Sequence, residues 1–147
     1  MEKISAAYLT IAAGGIALAI YTSYEYVTQS FNSCNINQVF NCGGVYASGH
    51  TSLFGIPFYA TGLVWFPMIF LIGLLTSRLG RTPVNGEILL PLLMLGNVFT
   101  AYLWYLELVV IHIICPLCVS LYAINYALTA IAVISIIKSE PSDSYNN

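Results

Sequence analysis

Four apolar stretches, each long enough to cross a lipid bilayer, take up most of this 147-residue chain. They run Ile4–Val27, Leu53–Ser77, Glu87–Ile111 and Pro116–Ile137, with Cys115 placed as the cap of the last. A crossing takes about 20 residues at roughly 1.5 Å of rise each. In lipid each of them must be helical, because hydrocarbon offers no partner for an exposed backbone amide or carbonyl. Composition agrees: 59% of the residues are hydrophobic, 7% are charged and the mean hydropathy is +0.82. A water-soluble domain carries about a quarter charged residues, so bilayer rather than water is the solvent for this chain. The expected architecture is all-α, an integral-membrane four-helix bundle over residues 1–138. Its helices cover about 4–27, 53–77, 87–111 and 115–137, and a polar tail covers 139–147. The first stretch reads as a retained helix. Its apolar run is long for a signal peptide, and no small-x-small cleavage site precedes the polar loop.

Charge sets the expected orientation. The basic residues are Lys3, Arg78, Arg81 and Lys138. Four crossings place all of them on one side, which the positive-inside rule makes cytoplasmic, with both termini. The loop Thr28–Ser52 and the turn His112–Cys115 then face outward without a Lys or Arg. A net charge of −2 and the lack of any basic patch argue against a nucleic-acid partner.

The outward loop is too long for a minimal helix connection, and loops of this length are often functional. Ile36, Val39, Phe40, Val45 and Tyr46 give it an apolar side, as expected of a short surface helix dipping into the headgroups. Gly55-Ile56-Pro57 is read as the start of the second helix, where Pro is tolerated. Gly80, Pro83 and Asn85-Gly86 make an ordinary inner turn. Gly14-Gly15, Gly62 and Gly96 are expected to let helices approach closely.

The chemistry rests on four cysteines, all expected at the outer face. In Cys115-Pro116-Leu117-Cys118, Pro116 suits the first helical position, Cys115 the cap and Cys118 the third residue. A helix N-terminus stabilises a thiolate, and a C-x-x-C disulfide stabilises little structure, so this pair reads as reactive. Cys118 points one turn into the bundle and Cys115 sits at the rim, so Cys115 exchanges with thiols and Cys118 meets an acceptor in the lipid. Cys34 and Cys42 on the loop can shuttle electrons. One meets an outside protein thiol and the other passes the pair to Cys115 through mixed disulfides. Two other readings stand beside this one. The four cysteines form inert structural disulfides, or the chain carries a soft metal ion through paired thiols. The spacing is poor for zinc, and no cysteine lies in the inner half of any helix, so no metal site is assigned.

The ordered pattern Cys34-x7-Cys42-x5-Ser48, then Phe54-Gly55, then Cys115-x2-Cys118-x3-Tyr122 resembles the vitamin K epoxide reductase family. It is closest in kind to that family's prokaryotic homologues, and the resemblance spans roughly Ile4 to Ile137. The DsbB family shares the chemistry and helix count but has its cysteine pairs in the reverse order. The resemblance implies a membrane thiol:quinone oxidoreductase supporting disulfide bond formation. Cys115 and Cys118 match the active-site pair, with Cys118 reacting with the quinone. Cys34 and Cys42 match the loop pair, with Cys34 taking electrons and Cys42 relaying them to Cys115. Ser48 matches a loop serine supporting the site, Tyr122 a tyrosine contacting the quinone, and Phe54 belongs to the same cofactor-side pattern. The cofactor implied is a quinone of the ubiquinone or menaquinone type. The partner implied is a separate thioredoxin-like thiol oxidase or isomerase outside the cell membrane, since no thioredoxin-like domain follows the helices. The family's asparagine donor to the quinone has no clear match; the nearest polar groups are Thr51 and Ser52.

Further candidates come from helical spacing. Cys118, Tyr122 and Asn125 share one face of the last helix and can form a wall of a quinone pocket. Tyr122 also suits an aromatic belt, and Asn125 also suits helix packing. Glu107 and Glu25 are candidate proton donors; Glu107 equally reads as a carboxylate snorkelling to the interface. His50 and His112 read as polar interface residues.

Overall fold

The computed structural model describes residues 2–53, 55–78 and 89–139. Its elements are α1 (Glu2–Thr28), α2 (Cys42–Ala47), β1 (Ser52–Leu53), β2 (Ile56–Pro57), α3 (Phe58–Arg78), α4 (Leu89–Tyr105) and α5 (Pro116–Ser139). A π-helical segment, Leu106–Ile111, continues α4. Four helical runs of 26, 20, 23 and 23 residues are long and apolar enough to cross a membrane. Val64, Leu95 and Val98 are more than three-fifths exposed, which suits lipid and not water. The chain is an all-α, multi-pass membrane bundle.

The helices run up and down. Ser5 on α1 bonds Ser77 at the far end of α3, and Ser23 near the other end of α1 approaches the Tyr59 carbonyl at its start. Lys3, Arg78 and Lys138 therefore share one end of the bundle, and the four cysteines share the other. Lipid tails are as apolar as leucine, so packing and hydrogen bonds hold such helices together. Gly15 receives the Phe66 ring, Gly73 the Tyr8 ring and Gly96 the Trp65 ring, each where a methyl group would collide. Gly14 and Gly62, by contrast, make no close approach. Across α3, α4 and α5 runs a polar chain: Trp65 Nε1 donates to Asn125 Oδ1 (3.1 Å), Asn125 Nδ2 to Asn97 Oδ1 (2.6 Å) and Asn97 Nδ2 to Thr129 (3.1 Å).

The apolar core has two parts. Tyr8, Ile69, Leu89, Leu93 and Leu128 fill the inner part. Tyr26, Phe31, Val45 and three cysteines fill the outer part. α1 packs against α3 and α5, and α5 against α4, but α3 and α4 barely touch.

Three expectations change. The second long helix starts at Phe58 rather than Leu53, because Ser52–Leu53 pairs antiparallel with Ile56–Pro57, with Gly55 (φ 82°) in the turn. Pro57 ends that pairing instead of opening the helix. The loop helix is only Cys42–Ala47. Val45 is buried and Tyr46 packs inward, whereas Ile36, Val39 and Phe40 face out. The inner turn around Pro83, Arg81 and the tail beyond Ser139 lie outside the described residues.

Candidate active site: a sulfur relay over an apolar cavity

Loop and turn are tied together by backbone. Phe40 forms a parallel bridge with Ile114. The Asn41 N–H donates to the Ile114 carbonyl (3.0 Å), and the Ile114 N–H to the Val39 carbonyl (2.8 Å). Asn41 then caps α2, its side chain accepting the Gly44 N–H at 2.8 Å. Cys42, next in the chain, is thereby laid over Cys115. The two Sγ atoms are 2.9 Å apart. Cys34 and Cys42 form a disulfide. Cys34, Cys42 and Cys115 place their sulfurs within 4.8 Å of one another.

Cys115 caps α5 as its sequence implies. Its Sγ accepts the Cys118 N–H at 3.4 Å, and its carbonyl accepts the Val119 N–H. The expected rim position of Cys115 is corrected, however. It is fully buried, because the bridge at Ile114 draws the loop over it as a roof. Cys34 is buried too, under Phe31 and its neighbours. Cys118 is partly buried and opens onto a different space.

That space is a cavity of about 320 Å³ along the seam between α3 and α4. Its walls are largely aromatic and aliphatic: Tyr59, Trp65, Phe66, Phe99, Leu103 and Leu121. Cys118, Tyr122 and Asn125 form the α5 wall, and Tyr26 comes from α1. Other polar groups are few: His50 and Thr51 from the loop, Thr22, Thr61, Thr100 and Glu107. An apolar site with a few convergent polar groups is what a small flat ligand requires.

The remaining candidates fall as follows. Tyr122 lines the cavity and donates its hydroxyl to Glu107 Oε1 at 2.9 Å. Asn125 lines it as well, but its amide is already committed to Trp65 and Asn97. Ser48 lies outside the cavity. Its hydroxyl donates to the Val45 carbonyl (2.6 Å) and accepts the His50 N–H (3.3 Å), so it shapes the turn that delivers His50 and Thr51. Phe54 lies outside the described residues. His112, in left-handed conformation at φ 58°, ends the π-helical segment. Among the described residues, neither histidine joins the three-sulfur cluster.

Glu107 does not snorkel. It is 3% exposed, and its second oxygen, Oε2, accepts the Cys115 N–H at 3.4 Å. It sits in the π-helical segment, a wider turn often found at functional sites. Glu25 is also buried, yet away from the cavity. It accepts Tyr21 at 2.7 Å and Ser33, the neighbour of Cys34. Sequence reasoning missed Tyr26, Tyr59 and Trp65 as lining residues, since tyrosines at helix ends and a tryptophan among leucines carry no signal beyond packing.

No curated protein matches the chain. The profile of the Vitamin K epoxide reductase family matches residues 6–133, from the first helix to the last. The chain belongs to that family, and is an integral-membrane oxidoreductase of the vitamin K epoxide reductase kind.

Proposed function

We propose that this protein passes electron pairs from the thiols of an extracytoplasmic thioredoxin-like protein to a membrane quinone. The reading is carried by one observation. The Cys42 and Cys115 sulfurs meet at 2.9 Å, while Cys118, one helical turn away, opens onto an apolar cavity. The outside thiol attacks Cys34 and opens the Cys34–Cys42 disulfide. Cys42, now a thiolate, attacks Cys115 of a Cys115–Cys118 disulfide and releases Cys118 facing the cavity. The donor's second thiol then frees Cys34 from the mixed disulfide. Cys34 attacks Cys42, restoring Cys34–Cys42 and releasing Cys115, so the donor leaves oxidised and Cys115–Cys118 is a dithiol. Each handover forms one S–S bond and breaks another, so it needs only contact and a good leaving group.

The cavity fits a quinone ring. Its aromatic walls suit a flat apolar ring, and its seam faces lipid, where an isoprenoid tail belongs. When bound, the quinone supplies a two-electron acceptor for the Cys115–Cys118 dithiol. Trp65, Phe66 and Phe99 would hold the ring, and Thr51 and His50 would offer hydrogen bonds, with Tyr122 beside them on the wall. By the positive-inside rule, the end with Lys3, Arg78 and Lys138 is cytoplasmic, and the cysteines work outside the cell membrane. The result is disulfide formation in secreted proteins.

With the Cys34–Cys42 disulfide reduced, the three clustered thiols give a second reading, a carrier of a soft metal ion. One assay separates the two. Purified protein receives dithiothreitol and a soluble short-chain quinone, with Cys118→Ala alongside. Quinone reduction in the wild type only, with both proteins folded, supports the thiol:quinone reading. Turnover undiminished in Cys118→Ala ends it. Tight binding of Hg(II) or Cu(I) without quinone turnover moves the carrier forward.

A further inference from the structure

A tyrosine hydroxyl has one hydrogen to give. In Tyr122 that hydrogen is taken by Glu107 Oε1 at 2.9 Å. The other carboxylate oxygen accepts the backbone N–H of Cys115 at 3.4 Å. One buried carboxyl group therefore touches both the backbone of a reactive cysteine and a tyrosine on the cavity wall. While Glu107 is a carboxylate, Tyr122 can offer a ligand only lone pairs. Once Glu107 holds a proton it can donate to Tyr122 Oη, and Tyr122 is free to donate into the cavity.

We propose that Glu107 carries protons between the cysteine pair and the quinone, acting through the Tyr122 hydroxyl. The inference rests on the thiol:quinone reading above and assigns the proton path within it. The balance closes without an outside donor. Oxidising the Cys115–Cys118 dithiol breaks two S–H bonds, forms one S–S bond and releases two electrons and two protons. The quinone takes up both electrons and both protons and leaves as quinol. In each of two passes Glu107 accepts one proton from the thiol side and gives one to Tyr122, which passes its own hydrogen to a quinone oxygen. Both residues end unchanged.

Placement favours Glu107 over any other group. Among the described residues lining the cavity it is the one carboxyl group, and none is Lys or Arg. The other titratable groups around this space are Cys115 at the cap of α5, Cys118 and Tyr122 on α5, Tyr26 on α1, Tyr59 on α3 and His50 on the loop. Glu25, the other buried carboxyl group at this end, is held by Tyr21 and Ser33 outside the cavity.

The test uses the full chain in detergent with dithiothreitol and a short-chain quinone. Glu107→Gln can keep contacts to Cys115 and Tyr122 but cannot carry a proton. Its kcat is expected to fall by about tenfold or more, the range of general acid–base catalysis, with KM nearly unchanged and with one limb of the pH profile gone. Tyr122→Phe should fall similarly, and the double variant no further, because the two act in series. A second readout needs no quinone. The infrared difference spectrum between oxidised and dithiothreitol-reduced protein should contain a carboxylic C=O band that vanishes in Glu107→Gln and shifts in Tyr122→Phe. An active wild type with Glu107→Gln equally active, its pH profile and infrared spectrum unaltered, overturns the proton role alone. A wild type without Cys118-dependent quinone reduction overturns the thiol:quinone reading and this inference with it.

Discussion

Cys42 Sγ lies 2.9 Å from Cys115 Sγ, although 73 positions separate the two residues in the chain. The contact exists because Phe40 and Ile114 pair as backbone, two residues before Cys42 and one before Cys115. It joins the loop dithiol to the helix dithiol without any large movement of the bundle.

Freeing both of these sulfurs from their neighbours should trap them together. In Cys34→Ser/Cys118→Ser, mild oxidation is expected to yield a Cys42–Cys115 disulfide in nearly every molecule. Peptide mapping of the non-reduced protein by mass spectrometry detects it. A double variant with two free thiols after oxidation would show that the sulfurs do not meet.

Removing Cys34 alone separates the two electron inputs. Cys34→Ala should lose oxidation of a thioredoxin-like protein but keep quinone reduction driven by dithiothreitol, which can reach the pair through Cys118 on the cavity wall. Parallel assays with the two donors report this. Loss of both activities in folded protein would refute the shuttle.

Cys34 is 2% exposed, so a protein donor must wait for its cover to open. Phe31 is that cover, with ring centroids 5.5 Å from both Tyr26 and Tyr46. Each ring pair is worth about 1 kcal/mol beyond its buried area, so Phe31→Ala should raise the open population on the order of tenfold. Stopped-flow reduction of the Cys34–Cys42 disulfide by a reduced thioredoxin should quicken accordingly. Reduction by small dithiols should gain less. Equal rates in wild type and variant would mean the cover is elsewhere.

Gly96 lets the Trp65 ring lie against α4 on the cavity wall. In Gly96→Ala the new methyl group meets that ring, and overpacking of this kind costs about 1–3 kcal/mol. Thermal unfolding in detergent should show the loss. Displacing Trp65 should also raise KM for a short-chain quinone, with a smaller change in kcat. A variant with unchanged Tm and KM would place the quinone elsewhere.

The sequence by itself determined the solvent and the architecture. Four long runs that are almost wholly apolar leave a helix no alternative in lipid, and the shared end of Lys3, Arg78 and Lys138 follows from counting crossings. Local spacing was also enough for Cys115 as a cap and for Cys118, Tyr122 and Asn125 on one face, since both depend on residues within two turns. Tertiary structure decided everything that depends on residues far apart in the chain. The burial of Cys115 comes from the pairing of Phe40 with Ile114, and that of Cys34 from the cluster around Phe31, neither of which a local pattern encodes. The pairing of Ser52–Leu53 with Ile56–Pro57 displaced an expected helix start, because backbone pairing across Gly55 outweighed a continuous apolar run. Glu107 was ambiguous until its partners were visible: a carboxylate near a helix end reaches water or a neighbour according to what α5 places beside it. Here α5 supplies an amide from Cys115 and a hydroxyl from Tyr122, and these two bonds turn the charged group inward.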